Sequence, residues 1–360
     1  MTSPIDIVAY RCLFDGDEEF AIVDARPADR FAQRHLLSAS NFPLEVLAKR
    51  LPAVIPNKAT FIVLCDDNDG SATQAADLLS THGYQNLNVL AGGLPAFQKA
   101  GGEVFSGVSV LGKAFGEFVE HRCATPSMTA AELHRRQRHR DNILVLDSRT
   151  VEEHESYCIP QAILCPGAEL PYRVAGVAKA TDPIVVHCGG RTRGIVGAQT
   201  LIDFGFGGAV SLENGTQAWQ FENLELELGN RDTLPAPDND NLASMQDRAR
   251  ELGRRYGFNH IGALPKTSAP TRYLIDVREQ GEFEAGHVAG TRHIPGGHLL
   301  QNIDRYLVVR NAEVVLLDAD GVRAPTIACL LYTSPSPRDL NPNLVFRLVL
   351  EKRGGGGGGG

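Results

Sequence analysis

An apolar run ending in Asp-x-Arg stands three times in this chain, as Ala21-Ile22-Val23-Asp24-Ala25-Arg26, Leu144-Val145-Leu146-Asp147-Ser148-Arg149 and Tyr273-Leu274-Ile275-Asp276-Val277-Arg278. The copies lie 123 and 129 residues apart, and nineteen residues after each aspartate comes a proline: Pro43, Pro166 and Pro295. A second apolar run ends forty-one, forty-one and forty-two residues after the aspartate, on Cys65, Cys188 and Asp318. A single Asp-x-Arg is an ordinary strand-end turn. Its fixed spacing to two further landmarks is not, so the chain reads as three copies of one unit.

Each copy has a short buried strand, a polar helix-like stretch and a second strand such as Phe61-Ile62-Val63-Leu64. A loop, an apolar-periodic helix and a further strand follow, the last at 87–90 or 209–212, ending in Gly92-Gly93 or Asn214-Gly215. Strands alternating with helices predict an α/β fold, each unit a parallel sheet covered by helices on both faces. Such folds bind ligands at the carboxyl ends of their strands, where Cys65, Cys188 and Asp318 are expected to lie. Unit one is assigned to 1–105, unit two with a connecting helix over 107–123 to 106–230, a Pro/Asp-rich linker and helix to 231–257, and unit three to 258–328.

With 43% hydrophobic residues in 360, the chain has the apolar material for several cores. Its net charge of -8 provides no electrostatic footprint for nucleic acid or an anionic membrane. The basic run 134–140 is expected to be a solvated helix face. No run approaches the ~18 apolar residues of a membrane span, and Met1-Thr2-Ser3-Pro4-Ile5-Asp6 lacks signal character, so a cytoplasmic protein is expected. Seven cysteines, an odd count without a C-x-x-C pair, predict neither a metal site nor a disulfide framework. A thiol that matters would act alone.

The loop His187-Cys188-Gly189-Gly190-Arg191-Thr192-Arg193-Gly194 has the composition of an anion-binding nucleophile site. Its glycines are expected to turn backbone N–H groups inward at the positive end of the following helix. That field, with Arg191 and Arg193, is expected to favour the Cys188 thiolate and to bind an incoming oxyanion. Cysteine chemistry of this kind needs no dedicated base and no cofactor. Asp147 and Arg149 recur in the copies lacking this loop, which points to a structural ion pair. Cys158 and Cys165 are expected to be buried small residues, and Trp219, at the spacing of Phe97, a packing anchor.

The Asp-x-Arg strand end, the proline at plus nineteen, the cysteine loop and the late Gly-Gly or Asn-Gly together resemble the rhodanese (thiosulfate sulfurtransferase) domain. The second copy, with Gly197-Ala198-Gln199 and Asn214-Gly215-Thr216, resembles the second domain of bacterial multi-domain rhodaneses. The resemblance implies tandem domains, each a parallel five-stranded sheet with helices on both faces. It also implies that Cys188 takes sulfane sulfur as a persulfide from a small-molecule donor such as thiosulfate. Gly189, Gly190, Arg191, Thr192, Arg193 and Gly194 would bind the substrate, and a thiol, cyanide or a sulfur carrier would accept the sulfur. Dual-specificity phosphatases share the fold but place arginine six residues after cysteine, whereas Arg193 is five after Cys188. In the loop beginning Cys65-Asp66-Asp67, three aspartates are expected to raise the thiol pKa. The loop at Asp318 has no sulfur nucleophile. Units one and three are therefore expected to be inactive, and a degenerate array acting as a binding or sulfur-relay scaffold is the competing class.

The run Cys329-Leu330-Leu331-Tyr332-Thr333-Ser334-Pro335-Ser336-Pro337-Arg338-Asp339 resembles the translation of a common sequencing adapter, and 354–360 is all glycine. Residues 329–360 are therefore expected to carry no native structure, and unit three to be truncated near Ala328.

Overall fold

The computed structural model describes residues 3–261, 264, 270–333 and 346–350. Strands β1 (Ser3–Ile5), β2 (Phe20–Asp24), β3 (Ser40–Asn41), β4 (Phe61–Cys65) and β5 (Leu87–Leu90) form the first unit's parallel sheet, in the order β1-β5-β4-β2-β3. The second repeats it with β6 (Ser127–Met128), β7 (Leu144–Asp147), β8 (Ile163–Leu164), β9 (Ile184–His187) and β10 (Ala209–Leu212), ordered β6-β10-β9-β7-β8. The third contains β11 (Asn259–Ile261), β12 (Arg272–Asp276), β13 (Arg292–His293), β14 (Val309–Arg310), β15 (Glu313–Asp318) and β16 (Phe346–Leu350). Its sheet runs β11-β16-β15-β12-β13. The inner strands β4, β9 and β15 are buried almost throughout, as apolar runs covered on both faces must be.

Two expectations about the tail are corrected. The helix Arg323–Thr333 runs through the presumed junction at Ala328, and Cys329, Leu330 and Leu331 are buried. Strand β16 lies inside the segment expected to be structureless and pairs in parallel with β15 and β11. Phe-Arg-Leu-Val-Leu is apolar and strand-prone, and the open edge of β15 templates such a run. The third unit, expected to be incomplete, thus has a five-stranded sheet like the others. Residues 334–345 and 351–360 lie outside the described residues.

The three units do not stand apart. Strand β14 adds antiparallel to the edge of β2, pairing Val309 with Ala21 and Arg310 with Phe20. The Tyr273 hydroxyl donates to the Val54 carbonyl at 2.7 Å and accepts from the Val309 amide at 2.9 Å. One apolar core runs from Leu47 and Ile62 of unit one through Tyr273 and Ile327 of unit three, and takes in Phe115 and Val119 of the connecting helix. That helix, Val110–Cys123, packs on the helix Thr192–Asp203 of unit two. Gly116 permits the approach: a Cβ there would stand 2.8 Å from the Thr192 methyl group. The connecting helix therefore borders the loop that leads into the helix Thr192–Asp203.

Candidate active site

The Asp-x-Arg motif is one device used three times. Asp24, Asp147 and Asp276 end their strands, and each binds the Nε and Nη2 of the arginine two residues on, at 2.6 to 3.2 Å. The same Nη2 donates to a carbonyl eight residues further on, at Arg34, Tyr157 or Gly286. These pairs are buried and pin the chain between strand and next helix, as expected for a structural ion pair. In unit two the carboxylate gains a third partner, His154, whose Nδ1 lies 2.9 Å from Asp147 Oδ2. Burial opposes the charge on Asp147, yet the attraction of His187 and the bonds from His154 and Arg149 hold its carboxyl below the usual carboxylate range. Burial pushes His187, beside it, down from the usual imidazole range, and Asp147 opposes that shift.

Sheet register decides which residues occupy the candidate nucleophile position. Asp24 pairs with Cys65, Asp147 with His187 and Asp276 with Leu317. The residues that follow, Asp66, Cys188 and Asp318, are therefore equivalent. This corrects the placing of Cys65 in the loop, because spacing counted from the aspartate was one residue out. Cys65 is a core thiol at the end of β4, fully buried, with its sulfur 3.6 Å from the Val23 carbonyl. Burial pushes its pKa well up, and Asp24, Asp66 and Asp67 add to the rise, outweighing Arg26. Burial, rather than the loop aspartates alone, is what keeps it protonated. Cys158 is pushed up to about 11 by burial, and Cys165 rises further for the same reason.

What fills the nucleophile position differs in kind. Asp66 Oδ2 accepts from the amide of Ala72 at 3.0 Å, six residues on, and from Gly70 at 3.1 Å. Asp318 Oδ2 accepts from the equivalent amide, Ala324, at 2.8 Å. Units one and three thus carry an oxygen acceptor of their own in the mouth of the loop. In unit two the position carries a thiol, and among the described residues no side-chain oxygen accepts from the amides of residues 189–194. The first N–H groups of the helix Thr192–Asp203 accordingly have no side-chain cap.

The loop glycines work differently from expectation. None of Gly189, Gly190 and Gly194 has positive φ, whereas Gly70 and Gly321 do in the other two loops. Gly194 packs closely instead, where a Cβ would stand 3.2 Å from the Val186 carbonyl. The loop is held from behind by the turn after β10, where Thr216 N donates to Cys188 O at 2.9 Å and Gln217 N to Gly189 O at 3.2 Å. The two arginines are also committed. Arg191 reaches back to Glu117 and Glu120 on the connecting helix. Arg193 forms a bidentate pair with Glu153 at 2.6 and 2.8 Å. Unit three repeats that pair between Arg323 and Glu282 at 2.5 and 2.7 Å, in a loop without a thiol. The Arg193 pair is thus part of the scaffold. Burial opposes the charge of Arg193, and the bonds and charge of Glu153 more than offset it.

Cys188 lines a cavity of about 230 Å³. Unit two supplies the loop, Ser148 and Val196. The connecting helix supplies Lys113 and Phe115, and unit three supplies Leu300 and Gln301. The sequence reading missed these last four. A helix over 107–123 was legible, but not which cleft it would close. Trp219 is buried as expected, its Nε1 donating to the Glu225 carbonyl at 2.8 Å. No group of three or more His, Cys, Asp or Glu able to hold a metal occurs among the described residues, and no helix there is long and apolar enough to cross a membrane.

The rhodanese-like domain family matches residues 13–100, 129–222 and 263–348, and the chain belongs to that family. It is similar over 97% of its length to the crystal structure of a thiosulfate sulfurtransferase from Pseudomonas aeruginosa, with 35% identity and a TM-score of 0.89, covering 66% of that chain. Among curated proteins it is 31% identical over 85 residues to a centrosomal protein of 41 kDa from Xenopus tropicalis, 22% of this chain and 23% of that one. It is also 31% identical over 94 residues to an adenylyltransferase and sulfurtransferase, MOCS3-2, from Zea mays, 24% of this chain and 19% of that one. The chain thus spans less than two thirds of each of these relatives.

Proposed function

We propose that the protein is a sulfurtransferase with one working site, in which Cys188 takes the outer sulfur of thiosulfate or a related donor and passes it to a thiophilic acceptor. One observation carries this reading. The loop amides that Asp66 and Asp318 occupy in the other copies are left open around the only copy with a thiol there. A persulfide on Cys188 would extend a terminal sulfur anion toward those amides, the role the carboxyl oxygens play elsewhere. No cofactor is needed, since the intermediate is covalent. The likeness to the Pseudomonas aeruginosa enzyme supports the same activity. A cytoplasmic setting, with a small thiol, cyanide or a carrier protein as acceptor, belongs to this proposal.

The scaffold alternative accounts for units one and three but leaves the Cys188 cavity unused. The phosphatase alternative needs an arginine that closes around phosphate, whereas Arg193 is tied to Glu153. Assaying thiosulfate:cyanide sulfur transfer beside aryl phosphate hydrolysis separates the three. Sulfur transfer without phosphate release is expected. Efficient phosphate release would replace the reading by the phosphatase, and the absence of both activities would favour the scaffold.

A further inference from the structure

The cations around Cys188 are not equally available to a substrate. Arg191 is held by Glu117 and Glu120, and Arg193 by Glu153 in a pair that unit three repeats without a nucleophile. Lys113 stands near the start of the connecting helix, is exposed and lines the same cavity, and its ammonium has no ion pair or hydrogen bond among the described residues. The wall beside it is apolar, with Phe115, Val196 and Leu300. An exposed ammonium without a carboxylate partner, beside an apolar wall, attracts the anion that enters there.

We propose that Lys113 holds the oxyanion end of the sulfur donor above Cys188, so that the connecting helix rather than the catalytic unit supplies the residue that recognises the donor. This rests on the reading of Cys188 as the sulfur-accepting thiol. The Cys188 thiolate attacks the outer sulfur of thiosulfate, and the S–S bond of the donor breaks with its electron pair leaving on sulfite. The outer sulfur remains as the Cys188 persulfide anion. The same sulfur-bound oxygens face Lys113 in thiosulfate and in departing sulfite, so the contact contributes to binding both and little to the barrier between them.

The test compares Lys113→Met, Lys113→Arg and, as a control outside the cavity, Lys99→Met in the full chain, using thiosulfate and sulfite as probes. Lys113→Met is expected to raise the KM for thiosulfate about ten-fold, the loss of one charge-assisted contact, with kcat within about two-fold. It is expected to weaken product inhibition by sulfite by the same factor. Lys113→Arg restores most of both, and Lys99→Met changes neither. Unchanged KM and sulfite inhibition in Lys113→Met would overturn the proposal, as would a fall in kcat with KM unaltered. A wild-type chain that takes up no sulfur would instead overturn the reading of Cys188.

Discussion

Replacing Cys188 by serine is expected to abolish the proposed sulfur transfer from thiosulfate, a fall of at least about a thousand-fold, as the loss of a covalent nucleophile costs in other enzymes. The oxygen is smaller than sulfur and forms no persulfide, while the fold around a nearly buried side chain is kept. Replacing Cys65 by alanine leaves turnover per folded molecule within about two-fold, because that thiol is packed inside β4 and held protonated. Measuring sulfite release alongside thermal unfolding separates the two cysteines. Turnover that survives in Cys188→Ser, or disappears in a folded Cys65→Ala, contradicts the assignment.

The second large effect is expected at Gly215, which the Asn-Gly turn places behind the loop rather than in it. Gly215 has φ +50, and a Cβ there would stand 2.0 Å from the Cys188 carbonyl oxygen and 2.7 Å from that of Gly190. Both neighbours are backbone, so the nucleophile loop itself must move. Gly215→Ala is expected to lower turnover about a hundred-fold or more, since misplacement of a nucleophile by about 1 Å has that cost. It should also cost roughly 1 to 2 kcal/mol of stability from the left-handed backbone. Gly93→Ala in unit one supplies the control, because its Cβ would press on Asp66 O at 2.5 Å in the same way. That variant should lose stability and keep its turnover per folded molecule. Equal turnover in the two variants, assayed at matched folded fraction, would show that the loop tolerates the shift.

The fold was legible because three copies repeat the same landmarks. The strand ends at Asp24, Asp147 and Asp276 fixed three origins, and alternation of strand and helix did the rest. Cys188 was legible from its glycines and arginines, although those residues turned out to be held in other ways. Register was not legible to the residue. Cys65 and Cys188 both lie forty-one residues after their aspartate, yet the β2–β4 and β7–β9 ladders differ by one position, so one thiol is core and the other faces the cavity. The mutual commitment of Arg193 and Glu153 required the two ends of unit two to be seen together. What no local pattern carried was the contact between units: β14 on the edge of β2, and Lys113 and Gln301 in the wall of the cavity that Cys188 lines. Such contacts depend on how complete units pack, which hydrophobic periodicity within a unit does not encode.

The central claim is that only one of the three loops acquires sulfur, because the other two fill the nucleophile position with their own carboxyl oxygens. Intact mass of the full chain after thiosulfate treatment, followed by peptide mapping without reductant, tests it directly. One added sulfur per chain, located on the peptide that contains Cys188 and discharged by cyanide, is the result the structure predicts. No added sulfur, or sulfur found on Cys65, Cys158 or Cys165 while Cys188 stays unmodified, would contradict it.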